Sequence, residues 1–251
     1  SRRYGEVHVI FGNVKGFREG PYDWGALSDG AHGFIVKGAG YWHLLGDRGL
    51  AGGDVNGDGI NDLLLGANGA SPAGRPEAGA AYVVFGRADN FPSVVSLDRL
   101  SADGFVIQCG TDGERCGISV AWAGDVNHDG VGDMIVGSHS APGYAVPQHP
   151  DAAFRKGPYE KQAGAAYIIF GSRIFPTALD VRDLNGSNGF AARGSQRYEL
   201  AGLSVAGAGD VNQVRRSKLS PEPVVAPYKR QSLPVLTGWH RRHHHWCPRG
   251  Q

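Results

Sequence analysis

Three segments of this chain end alike: Gly5-Glu-Val-His-Val-Ile-Phe11-Gly12, Gly79-Ala-Ala-Tyr-Val-Val-Phe85-Gly86 and Gly164-Ala-Ala-Tyr-Ile-Ile-Phe170-Gly171. Their intervals are 85 − 11 = 74 and 170 − 85 = 85 residues, and self-similarity at a long period marks a repeat architecture. Other landmarks keep step: Gly33-Phe34, Gly104-Phe105 and Gly189-Phe190 open short runs, and Gly46, Gly117 and Gly202 recur at matching places. Each repeat holds several short strands punctuated by Gly, Asn, Asp and Ser, with no long 3.6-period stretch to compete with them. One such unit is a small sheet that cannot bury its own faces. Radial stacking into a β-propeller, with four strands per blade and roughly four to eight blades, solves that problem. The expected class is all-β.

Inside the repeat a second pattern recurs. Asp54-Val55-Asn56-Gly57-Asp58-Gly59-Ile60-Asn61-Asp62 returns as Asp125-Val126-Asn127-His128-Asp129-Gly130-Val131-Gly132-Asp133. Oxygen-bearing side chains at positions one, three, five and nine, with Gly at six for a sharp turn, suit a hard divalent cation that takes six to eight oxygens. The backbone carbonyl of Ile60 or Val131 at position seven adds a further donor. Three carboxylates crowded in one loop raise one another's pKa, and a cation relieves that repulsion. The reading is calcium, at two sites. An ordinary polar turn uses the same residue types, but it explains two copies poorly. An EF-hand needs a carboxylate near position twelve and a helix afterwards. Position twelve here is Leu65 or Val136, and Leu63-Leu64-Leu65-Gly66 and Met134-Ile135-Val136-Gly137 read as buried strands. The loop is therefore expected to join two strands.

Phe85-Gly86, Phe170-Gly171, the Gly66-Ala67 and Gly137-Ser138-His139-Ser140-Ala141-Pro142 segments and the two acidic loops together resemble FG-GAP repeats, the units of the integrin alpha-chain propeller. The likeness runs over about residues 5–212, taken as one partial propeller of about three blades within residues 1–212. It implies that the calcium loops join adjacent strands of a blade, away from the ligand-recognising face, and that the ion stiffens the hairpin. It further implies an extracellular or cell-surface module for adhesion or recognition, with a protein or matrix ligand as partner. The alternative is the non-catalytic propeller of a secreted, phospholipase D-like hydrolase whose catalytic part lies elsewhere. The chain opens at Ser1 just before a strand that should close a preceding blade, so a fragment of a longer propeller is expected. Its open edges would pair with further blades or a second chain.

The third repeat runs through Gly207-Ala-Gly-Asp210-Val211-Asn212 and then fails, with Val214, Arg215 and Lys218 where Asp, Gly and Asp should stand. No third calcium site is expected. Residues 213–251 carry eight Lys or Arg and one acid, Glu222, or +7, which leaves 25 − 8 = 17 basic and 24 − 1 = 23 acidic residues before them, or −6. With five prolines and no alternating strand, this tail reads as disordered and as foreign to the propeller. His240, His243, His244 and His245 could bind transition metals only incidentally.

Cys109 and Cys116 flank a polar turn between expected strands, and either a disulfide or two buried free thiols suits them. Asn185-Gly186-Ser187 is an N-glycosylation sequon or a plain turn. Tyr82, Tyr167, Phe105, Phe190 and Trp122 are expected to pack blades, and residues 143–163 form an insertion that lengthens the second interval. No H-E-x-x-H, G-x-S-x-G or phosphate-loop lysine occurs, so the chain reads as non-enzymatic. The basic run of the tail could adhere to nucleic acid or acidic lipid only incidentally, so no nucleic-acid partner is expected, and no apolar run reaches the eighteen residues of a membrane span.

Overall fold

The computed structural model describes residues 4–12, 23, 25, 28–142 and 162–208. Its elements are twelve strands, short 3-10 turns among them: β1 (Glu6–Ile10), β2 (Gly33–Lys37), β3 (Leu50–Gly53), β4 (Asp62–Ala67), β5 (Ala80–Val84), β6 (Val94–Ser96), β7 (Gly104–Gln108), β8 (Ser119–Gly124), β9 (Asp133–Ser138), β10 (Ala165–Ile169), β11 (Ala178–Asp180) and β12 (Gly189–Arg193). They form three sheets, ordered β1-β2-β6, β11-β7-β5-β4-β3 and β12-β10-β9-β8. These are successive propeller blades, and among the described residues they do not close into a ring. The failed third loop, the tail 213–251 and most of the insertion lie outside the described residues. The insertion's two ends meet in an antiparallel bridge between Pro142 and Gln162.

The strands that end in Phe-Gly are β1, β5 and β10, and those opened by Gly-Phe are β2, β7 and β12, paired antiparallel in each sheet. A sheet stacked on both faces buries alternate side chains in two different cores, so its central strands are apolar throughout. In β5, Ala81 and Val83 enter the core between the second and third sheets, while Ala80, Tyr82 and Val84 enter the core between the first and second. Leu64 and Leu65 of β4 divide in the same way.

The connectors between repeats do something the sequence reading missed. After β5 the chain returns to the first sheet, where β6 pairs parallel with β2, and only then enters β7 of the second sheet. After β10 it likewise returns to lay β11 parallel to β7 before entering β12 of the third. Each connector also lays a phenylalanine on the preceding blade. Phe91 stacks on Phe34 with ring centroids 4.1 Å apart, and Phe175 stacks on Phe105 at 4.2 Å. Such pairs add about 0.5–1.5 kcal/mol beyond their area. Phe190 departs from the expectation of a packed aromatic. It is 41% exposed, and its ring meets that of Phe170 edge-on at 6.1 Å. Tyr82, Tyr167 and Phe105 are buried as expected, and Trp122 packs against the core between the second and third sheets.

Gly117 shows why this position is glycine. Its φ is +80°, its N–H donates to the Gly137 carbonyl at 2.9 Å, and an added Cβ would stand 2.2 Å from the Ala80 carbonyl oxygen. Two blades approach here backbone to backbone, leaving no room for a side chain.

Candidate metal centre

β3 and β4 pair antiparallel with Gly53 opposite Asp62, and residues 54–61 close that hairpin. β8 and β9 pair with Gly124 opposite Asp133, with a register irregularity between Trp122 and Gly124, and residues 125–132 close the second hairpin. Both acidic loops thus join neighbouring strands of a blade.

The carboxylate of Asp54 turns back over its loop. Its Oδ1 accepts the N–H of Gly57 at 2.7 Å and of Asp58 at 3.2 Å, and its Oδ2 accepts that of Gly59 at 2.8 Å. Asp125 repeats the arrangement with the N–H groups of Asp129 at 3.0 Å and Gly130 at 2.9 Å. At position five, Asp58 Oδ1 accepts from Ile60 N–H at 2.7 Å and Asp129 Oδ1 from Val131 N–H at 2.8 Å. The Asn56 and Asn127 side-chain amides donate to Asp58 and Asp129 at 2.9 and 2.8 Å. These are exposed or half-buried groups at the hairpin tips.

Position nine is different. Asp62 and Asp133 are buried at the mouths of β4 and β9. Asp62 accepts the N–H of Val55 and of Gly86, each at 2.8 Å, and Asp133 accepts that of Val126 at 2.6 Å and of Gly171 at 2.8 Å. The Gly of the recurrent Phe-Gly pair is therefore a donor to the last acid of the loop. Sequence reading treated it only as the end of a strand, because a main-chain donor leaves no residue-type signal. Burial pushes the Asp62 carboxyl above its ordinary value and Asp133 up to about 6; the amides oppose this, and the nearby Asp58 and Asp54, or Asp129 and Asp125, add repulsion.

Among the described residues no three acidic, His or Cys side chains stand together as a compact metal-holding group. In each loop the carboxylates are tied first to amides. Even so, the donors are all oxygen, and every charge raising Asp62 or Asp133 is acidic. That chemistry fits a hard cation, which would replace the Asn-to-Asp hydrogen bond in each loop.

In the connection between β7 and β8, Cys109 and Cys116 form a disulfide with their Cα atoms 6.1 Å apart. Asn185 of the sequon is exposed in a turn, its Oδ1 accepting from Ser187 N–H at 2.9 Å. No helix among the described residues is long and apolar enough to cross a membrane.

Residues 47–84, which hold β3, the first loop, β4 and β5, match the family model of the FG-GAP repeat. FG-GAP repeats are non-catalytic propeller units that occur in extracellular proteins and mediate protein interactions. The chain is also 35% identical over 121 residues to the phosphatidylinositol-glycan-specific phospholipase D of Bos taurus. That alignment takes in 48% of this chain and 12% of the relative's length.

Proposed function

Starting from an FG-GAP propeller segment, we propose that this chain is a calcium-stabilised module for recognition of a protein ligand outside the cell, as in the integrin alpha chain. One observation carries the calcium reading. Two hairpins hold the same set of three carboxylates and one Asn, with the last carboxylate buried among like charges. Asp54, Asn56, Asp58 and Asp62 would hold one ion and Asp125, Asn127, Asp129 and Asp133 the other, with the carbonyls of Ile60 and Val131 at position seven. The ion supplies positive charge at a hairpin tip that otherwise gathers only negative charge. Calorimetric titration tests this. Two equivalents should bind with dissociation constants of about 0.1–1 mM, the range of extracellular modules. At ten times that constant each site adds about 1.4 kcal/mol to stability. An absence of heat and of any rise in melting temperature would sink the reading.

A second reading follows from the alignment with the phospholipase D. In it the propeller is the non-catalytic part of a secreted hydrolase, and this chain has no activity of its own. Sequencing the gene on both sides of this segment separates the two: a zinc-ligand domain upstream supports the hydrolase, and a transmembrane helix downstream supports adhesion.

A further inference from the structure

The two acidic loops belong to different blades, yet they are joined through three consecutive links. The N–H of Val55 donates to Asp62, and the carbonyl of the same residue accepts the N–H of Ser172 at 3.0 Å. The neighbouring Gly171 gives its N–H to Asp133. A short run of main chain therefore connects the last acid of one loop with the last acid of the other. Elsewhere the loops touch directly: Gly132 at position eight of the second donates to the Asp54 carbonyl, position one of the first, at 3.2 Å.

Trp122 fixes the same junction from the side. A Cβ added at Gly53 would lie 2.1 Å from its indole ring, and one added at Gly132 would lie 1.9 Å from it. The ring is thus held between the residue before the first loop and a residue inside the second. Val131 also reaches the first loop, 3.3 Å from where a Cβ of Gly57 would be. The glycines at both places allow the indole to lie flat against two backbones at once.

We propose that the two loops are one coupled unit in which a cation held by either raises the affinity of the other, with Trp122, Gly132 and the Val55–Ser172 hydrogen bond as the linkage. This rests on the calcium reading. The physical basis is shared ordering. A loop that closes on a cation must fix its first and last acids, and those acids are attached to the elements that the second loop must also fix. The second ion then meets a partly ordered site, so the entropic cost of ordering is met once. Electrostatics acts separately, since each ion reduces the negative field felt by the other. At physiological salt, charges more than about 8 Å apart are largely screened.

The test is a titration of the full chain by calorimetry. Asp129→Asn disables the second loop while preserving volume, and the first loop should then bind calcium at least about fivefold more weakly, the lower range for coupled sites. Asp58→Asn should weaken the second loop by the same factor, since coupling is reciprocal. In a Trp122→Ala background, which keeps every ligand, the effect of Asp129→Asn on the first loop should disappear; a purely electrostatic influence would persist. If Trp122→Ala does not fold, Trp122→Phe gives the same comparison with a smaller ring. Two equivalents bound to the wild type, with first-loop affinity unchanged by Asp129→Asn, would overturn the coupling and leave the calcium reading standing. No calcium bound to the wild type would overturn both.

Discussion

Tyr167, on β10 of the third sheet, donates its phenolic hydrogen to Oε1 of Glu114, a fully buried acid inside the ring closed by Cys109 and Cys116. The other oxygen, Oε2, accepts the N–H of Gly110 at 3.1 Å and of Thr111 at 2.9 Å, and the Glu114 carbonyl accepts the Ser138 hydroxyl at 2.6 Å. One residue therefore ties a disulfide turn to the next blade.

The first prediction concerns pH. Burial raises the Glu114 carboxyl above its ordinary value, against the opposing hydrogen bonds from Tyr167 and the two amides. The native state then holds a proton at pH values where the unfolded chain has lost it. Stability from this group is fully present below the unfolded value, near 4.5, and is lost as pH rises through the higher folded value. Urea unfolding of wild type and Glu114→Gln across pH 4–8 should show a steeper decline in the wild type than in the variant, in which Asp62 and Asp133 still titrate; parallel profiles would refute it. Glu114→Ala, which leaves the Tyr167 hydroxyl and two amides without their acceptor, should cost about 2–3 kcal/mol at pH 4 and less as the pH rises.

The disulfide gives a second. Its ring spans a separation of seven residues, for which loop closure predicts about 2–3 kcal/mol. Reduction, or a Cys109→Ser and Cys116→Ser double variant, should lower the urea midpoint accordingly. A midpoint that does not move would mean that Glu114 alone holds this turn.

For the third, Asp58→Asn keeps an oxygen for the Ile60 N–H and removes one of the charges bearing on Asp62. Without calcium its stability should match or slightly exceed that of the wild type, within about 0.5 kcal/mol. With millimolar calcium the wild type should become the more stable. Equal destabilisation in both conditions would show that Asp58 acts only as a turn former.

A fourth prediction compares two glycines with nearly equal φ, +80° at Gly117 and +86° at Gly130. A methyl group on Gly130 meets nothing within 4 Å, so Gly130→Ala should cost only the backbone strain of about 1–2 kcal/mol. On Gly117 it would also meet the Ala80 carbonyl at 2.2 Å, and Gly117→Ala should cost at least about 3 kcal/mol. Thermal unfolding of the two variants side by side decides it.

Much of this was legible from the residues. Phe-Gly, Gly-Phe and the acidic loop recur at fixed offsets, and each landmark falls at a strand end, so β1, β2, β4, β5, β7, β9, β10 and β12 could be marked out beforehand. The residues proposed to hold the cation were named by their oxygen content. What surrounds them was not. The donors to Asp62 and Asp133 are main-chain amides of Val55, Gly86, Val126 and Gly171, and the contact of Trp122 with Gly53 and Gly132 depends on the distance between blades. The strands β6 and β11 are three residues long and lie in otherwise irregular connectors, too short to show a period. Glu114 was overlooked because a single acid in a polar turn looks solvated.

Because β6 and β11 return to the preceding sheet, the repeat seen in the sequence and the blade seen in space are offset by one strand. A cut after Phe85 would leave the first sheet without its outer strand, and a cut after Ser96 would leave the second without β7. No point of scission between these two sheets spares both. The blades are interlocked like links of a chain rather than strung like beads, so peeling one away begins to undo its neighbour. Loss of order at one blade should therefore travel along the arc.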